Sequence, residues 1–173
     1  MNLTFRRATA IDIPMLVELV TSAYRGDASR AGWTTEADLL DGARIDAERL
    51  AADIDRPHSV ILLGEAGDET LACAHVAAED GAGYFGMLSV RPSLQGQGIG
   101  KAMLDEAERI AHDEFAQPAM RMTVIDVRDE LIAYYARRGY RRTGVHKPFP
   151  YGDERFGIPK RDDLRFEVLE KAL

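Results

Sequence analysis

Apolar and polar residues alternate over Leu3-Thr4-Phe5-Arg6-Arg7, which predicts a short opening strand. The period then changes. Thr9 is placed to cap a helix, Asp12 stands in its first turn, and Ile13, Leu16, Val17, Leu19, Val20 and Tyr24 recur at helical spacing, so a first helix is expected to run to Tyr24. Gly26 to Gly32 reads as a loop. Thr34 or Thr35 ahead of Glu36, with Leu39, Leu40, Ile45 and Leu50 beyond, predicts a second helical region broken near Gly42 and ended by Pro57.

The next stretches have β character. His58 to Leu63, Leu71 to Ala78 and Tyr84 to Val90 are expected as strands, separated by turn chemistry at Glu65 to Glu69 and at Asp80, Gly81 and Gly83. Ile99 to Phe115 then reads as a helix with Met103, Leu104, Ala107, Ile110 and Ala111 on one face, ended by Pro118. Met120 to Val127 is strand-like, Glu130 to Arg138 is a short helix stopped by Gly139, and Tyr140 to Val145 and Leu164 to Leu169 are the last strands. This order predicts one mixed α/β domain over residues 1–173, with strands two to four antiparallel and a βαβ crossover in the second half. The last strand is expected at an exposed edge able to pair between subunits, leaving monomer and homodimer both open.

Composition narrows the class. With 46% hydrophobic and 29% charged residues among 173, the chain has the balance of a globular domain large enough to bury one core. Its single cysteine, Cys73, lies in an apolar run with no basic neighbour, so a buried inert thiol is expected, with no internal disulfide and no cysteine metal cluster. No metal is expected. A net charge of −7 opposes non-specific nucleic-acid binding. The apolar runs are too short to cross a membrane and Met1 to Arg7 lacks the apolar core of a secretory signal, so a cytoplasmic location is expected.

The segment Val90-Arg91-Pro92-Ser93-Leu94-Gln95-Gly96-Gln97-Gly98-Ile99-Gly100-Lys101 joins a strand to a strongly periodic helix. Its glycines open backbone conformations closed to other residues and let the main chain approach a ligand. Free amides at the helix start then favour an anion, with a pyrophosphate as the natural occupant. Gly100-Lys101-Ala102 lacks the Ser or Thr of a P-loop, and Gly96-Gln97-Gly98-Ile99-Gly100 has the wrong spacing for a dinucleotide fingerprint. A tight strand-to-helix turn needs fewer glycines than these three alternating ones.

Gln95-Gly96-Gln97-Gly98-Ile99-Gly100 resembles the signature of the GCN5-related N-acetyltransferase (GNAT) family, and Met87 to Pro92 is similar to the strand that leads into it. Tyr134-Tyr135-Ala136-Arg137-Arg138-Gly139-Tyr140 is similar to that family's second motif. The resemblance implies a twisted mixed sheet of six or seven strands flanked by about four helices. It implies acetyl-coenzyme A as cosubstrate, held by Leu88, Ser89, Val90, Gln95, Gly96, Gln97, Gly98, Ile99, Gly100 and Lys101. The implied reaction is direct attack of a primary amine on the thioester, with Tyr135 protonating the departing thiolate. A helix aromatic that only packs is the alternative for Tyr135.

Arg128 stands where many relatives carry Asn, and two readings stay open for it: the cofactor's polar arm or a surface ion pair. No base is assigned among Glu36, Glu79, Asp80, Asp153 and Glu154. By the same resemblance, Gly32 to Glu36 and the loop Lys147 to Pro159 frame the acceptor pocket, with Tyr24, Trp33, Glu36 and Tyr151 as candidate acceptor contacts. A self-packed loop is the alternative for the second segment. Two other functional readings are a catalytically silent acyl-coenzyme A-binding module and a nucleotide- or flavin-binding protein, the latter opposed by motif spacing.

Overall fold

A computed structural model describes residues 2–42 and 44–173. The first strand, β1 (Thr4–Arg7), leads into α1 (Ile13–Tyr24), where Pro14 sits in the first turn and Leu16, Leu19, Val20 and Ala23 face the core. A two-residue strand β2 (Leu40–Asp41) precedes α2 (Ala47–Asp55), whose first turn is capped by the Asp46 carboxylate accepting from the Arg49 amide at 2.8 Å. Three antiparallel strands follow: β3 (Ser59–Ala66), β4 (Glu69–Glu79) and β5 (Ala82–Val90). Asp80 and Gly81, at φ 53° and 81°, make the two-residue turn between the last two.

The second half begins with α3 (Ile99–Arg109), prolonged by a π-helical turn over Ile110–Glu114, and continues through β6 (Ala119–Ile125) and α4 (Asp129–Ala136). Strand β7 (Arg141–Pro148), the short β8 (Ile158–Pro159) and β9 (Arg165–Ala172) complete it. The main sheet has seven strands in the order β1-β3-β4-β5-β6-β9-β7, with β5 and β6 as its parallel pair. This is the mixed architecture the residue pattern predicts, including the antiparallel run and the crossover through α3. Phe85, Met103, Leu104, Ile110 and Met120 fill the core on one face of the sheet, and Leu16, Val20, Leu50 and Ile61 fill it on the other.

Two expectations are overturned. The stretch from Thr34 to Gly42 is not a helix, although the part of the expected helical region beyond the break is, as α2: Leu39 and Leu40 turn once on the Glu36 carbonyl, and Leu40 and Asp41 then pair with Pro159 and Ile158. Glu36 is drawn to two arginines instead of folding back to cap the turn, and a partner more than a hundred residues away decides the local conformation. The last strand is not an edge either, because β9 lies between β6 and β7 and buries Glu167, Val168 and Leu169. The edge on this side of the sheet is β7, whose Arg141, Arg142, His146 and Lys147, together with a register shift between Arg142 and His146, oppose pairing with another chain.

Candidate active site

The sheet opens where its parallel pair begins. Strands β5 and β6 are in register only at Gly83 with Met120 and Tyr84 with Arg121, and beyond those pairs the strands separate. On its other side β5 is distorted. Cys73 pairs with Ser89 and His75 with Gly86, so Met87 and Leu88 together face the single residue Ala74, and Met87 sits at φ 59° in a bulge. The bulge spoils the regular ladder at Leu88, whose carbonyl accepts a hydrogen bond from the Tyr24 hydroxyl on α1.

Two cavities meet at this opening, with Tyr24, Leu88, Leu131 and Tyr135 in the walls of both. The smaller, about 150 Å³, runs along Val90, Gln95, Gly96, Gly98 and Gly100. Gly96 and Gly98 lie at φ 84° and 83°, conformations that a side chain disfavours. The first backbone bond of α3 runs from the Ala102 amide to the Gly98 carbonyl, so the amides of Ile99, Gly100 and Lys101 precede the helical ladder and have no partner within it. A Cβ on Gly100 would come within 2.9 Å of the Tyr134 hydroxyl oxygen. A loop with unpaired amides, and with open space where side chains on Gly96 and Gly98 would stand, fits a phosphate-bearing ligand.

The structure brings most of the expected cofactor residues together. Ser89 is wholly buried, its hydroxyl donating to the Met87 carbonyl at 3.0 Å, and the Ile99 side chain belongs to the core while its amide begins the helix. Gln97 and Lys101 are exposed and line neither cavity, Lys101 pairing with Asp105 at 2.7 Å. Gln95 plays a part that its position in the motif does not reveal. Its amide oxygen accepts from the Trp33 and Thr34 amides at 2.8 and 3.2 Å, and its nitrogen donates to the Thr34 hydroxyl at 2.7 Å and the Val90 carbonyl at 3.2 Å. It pins the glycine loop to the segment that follows α1.

The aromatic pair occupies the shared wall. Tyr134 is clasped between Trp33, with ring centroids 5.2 Å apart, and the Arg138 guanidinium, 3.6 Å from its ring. Tyr135 is buried against Phe85 and Tyr140, and its hydroxyl has no hydrogen-bond partner among the described residues. Burial pushes its phenol well above the ordinary value of 10.0, so it carries its proton throughout the physiological range. Tyr24 is likewise pushed up by burial, to about 12.

The larger cavity, about 210 Å³, extends from Tyr135 toward Phe149 and Phe156 in the loop after β7. Glu36 lies in its wall between two guanidiniums. Arg25 donates from Nη1 to one carboxylate oxygen, and Arg128 donates from Nη1 to the other at 3.0 Å while its Nη2 holds the Thr34 carbonyl at 2.6 Å. Burial alone would raise the Glu36 carboxyl, but the charges of Arg128, Arg25 and Arg44 outweigh it and hold the group below its usual range. Arg128 thus makes a buried ion pair with a residue of another element and not a surface one.

Of the other acceptor candidates, Trp33 packs beside the smaller cavity, and Tyr151 reaches neither. The Tyr151 hydroxyl instead donates to the Arg161 carbonyl at 3.0 Å and accepts from the Leu164 amide at 2.9 Å, which ties this part of the loop to the segment leading into β9. Among the acids considered as bases, Glu79 is paired with Arg56 at 2.6 Å and Asp153 with Arg155 at 2.7 Å. Residue reasoning missed Arg25, Arg44 and Arg49, which lie on separate elements with no shared motif and converge on the larger cavity. Among the described residues no helix is long and apolar enough to cross a membrane, and no cluster of His, Cys, Asp or Glu could hold a metal ion.

Comparison with known proteins agrees with this geometry. No curated protein matches the sequence. Among solved structures, the ribosomal-protein-S18-alanine N-acetyltransferase of Escherichia coli matches with a TM-score of 0.71 at 12% identity, over 99% of this chain and 94% of that one. The PaiA N-acetyltransferase of Thermoplasma acidophilum, solved with coenzyme A, matches with a TM-score of 0.69 at 17% identity over 100% of both chains. A GNAT-family acetyltransferase of Elizabethkingia anophelis with acetyl-coenzyme A bound gives 0.69 at 17% identity over 99% of both. These show the fold. The sequence profile of the acetyltransferase (GNAT) family matches residues 15–140, a span that holds the glycine loop, the bulged strand and the tyrosine pair, and the chain accordingly belongs to that family of acetyl-coenzyme A-dependent acyltransferases.

Proposed function

We propose that this chain transfers the acetyl group of acetyl-coenzyme A to a primary amine by direct attack within a ternary complex, with Tyr135 as the acid. The observation that carries this reading is the unpartnered, protonated Tyr135 hydroxyl in the wall common to the two cavities. In this reading the Gly96, Gly98 and Gly100 loop and the start of α3 hold the diphosphate, with the Arg138 cation beside them. Leu88 to Val90 align the thioester arm, and the larger cavity admits the amine. The amine nitrogen bonds to the carbonyl carbon, the carbon–sulfur bond breaks, the Tyr135 proton passes to the sulfur, the proton released from nitrogen leaves to water, and water returns a proton to the Tyr135 oxygen.

The reading extends to a cytoplasmic protein, monomeric or dimeric, with a small-molecule or peptide amine as acceptor. Thiol release from acetyl-coenzyme A across an amine panel tests it. Saturable turnover that falls in Tyr135→Phe supports it, whereas coenzyme A binding with no turnover on any amine leaves the silent binding module instead.

A further inference from the structure

The chain as a whole is acidic, at −7, yet the larger cavity is cationic. Its walls hold four guanidiniums, Arg25, Arg44, Arg49 and Arg128, against the one carboxylate of Glu36, leaving three positive charges uncompensated. Arg25 and Arg128 are committed to Glu36. Arg44 and Arg49 are not: among the described residues no carboxylate lies within ion-pair distance of either, and Nη1 of Arg49 is buried with no hydrogen-bond partner.

Aromatic faces hold both groups in place. The Arg44 guanidinium lies 5.1 Å from the centre of the Tyr24 ring, and that of Arg49 lies 4.6 Å from the centre of the Phe156 ring. In the open groove beyond Tyr84, Asp53 and Glu79 do not neutralise Arg49, since both pair with Arg56, at 3.4 and 2.6 Å. A buried guanidinium nitrogen without an acceptor is costly to maintain, and a planar guanidinium is shaped for a carboxylate.

We propose that the acceptor is a small primary amine bearing a carboxylate, of amino-acid size, whose carboxylate is held by Arg44 and Arg49 while its nitrogen faces Tyr135. This rests on the acetyltransferase reading above and specifies its substrate class. A cavity of about 210 Å³ is of a size to hold an amino acid, and an amine without an anion would leave the two arginines unanswered.

The test compares each common amino acid with its amide and its decarboxylated amine, read as kcat/KM by thiol release. The preferred acid is expected to exceed its neutral counterparts by about tenfold or more, a typical worth of one charge-assisted contact. Arg44→Gln and Arg49→Gln are expected to erase that preference through acceptor KM, leaving acetyl-coenzyme A KM unchanged. A second readout needs no turnover: with coenzyme A present, the N-acetylated acid should raise the melting temperature and its amide should not. Equal or better use of neutral amines, or a preference that survives both substitutions, overturns the carboxylate assignment and leaves the transferase reading intact. Coenzyme A binding with no turnover of any amine overturns both.

Discussion

Nη1 of Arg128 lies 3.0 Å from Oε2 of Glu36, and this buried contact ties the start of α4 to the loop after α1 in the wall of the larger cavity. With Arg25 on the other carboxylate oxygen, the three side chains form a triad that is 3 to 9% exposed, so neither cation can be relieved by water if the carboxylate is lost.

Glu36→Gln is therefore expected to destabilise the fold by about 3–5 kcal/mol, the usual cost of leaving a buried charge unpaired. Equilibrium urea denaturation measures it. The pH dependence follows in sign from the depressed carboxyl: its contribution is fully present above the unfolded value near 4.5 and is lost as pH falls through the lower folded value. A urea midpoint that falls less steeply with acid in Glu36→Gln than in the parent identifies the group, because the other paired carboxylates titrate in both.

Tyr135→Phe is expected to lower kcat by about 10²-fold or more with little change in either KM, because the proton it supplies matters in the transition state and not in binding. Its raised phenol also sets the alkaline side of the profile. In the parent, no loss of kcat assignable to this group occurs below pH 10. Steady-state rates across pH for both proteins check the two statements together.

Gly98→Ala places a side chain at φ 83° at the head of α3, where the left-handed region costs about 1–2 kcal/mol for other residues. Coenzyme A affinity by calorimetry is expected to fall about tenfold. Gly100→Ala acts through a different cause, contact with the Tyr134 oxygen at 2.9 Å. Adding Tyr134→Phe removes that oxygen, so the double variant should bind more tightly than Gly100→Ala alone.

Cys73 is fully buried, and burial pushes its thiol up to about 12. The native protein is expected to resist a disulfide reagent at pH 8 and to titrate one thiol only after denaturation. Absorbance of the released thiolate in buffer and in guanidinium chloride measures this. The same inertness keeps the free-thiol assay of turnover free of a protein background.

Residues close in sequence were read correctly where neighbours within a few positions settle the outcome. The period of α1, the Asp80-Gly81 turn and the glycine spacing at 96, 98 and 100 each act locally through backbone dihedrals and unpaired amides. The segment 34–42 misled because its helical apolar spacing was overridden by pairing with residues 158–159 and by two arginines bidding for Glu36. The position of β9 misled for a similar reason, since order within a sheet depends on which partners remain after the strands before it have paired.

By itself the amino-acid sequence determined most of the alternation of helices and strands, the glycine-rich turn into α3 and the tyrosine pair on α4, because each is written in short-range periodicity and side-chain chemistry. Only the tertiary structure decided that β5 bulges at Met87 and parts from β6, that Gln95 serves as a staple, and that Arg25 at the end of α1 and Arg128 at the start of α4 converge on one acid, Glu36. The physical reason is that electrostatic energy depends on distance in space. Charges separated along the chain from Arg25 to Arg128 carry no sign of their meeting until folding removes the water between them.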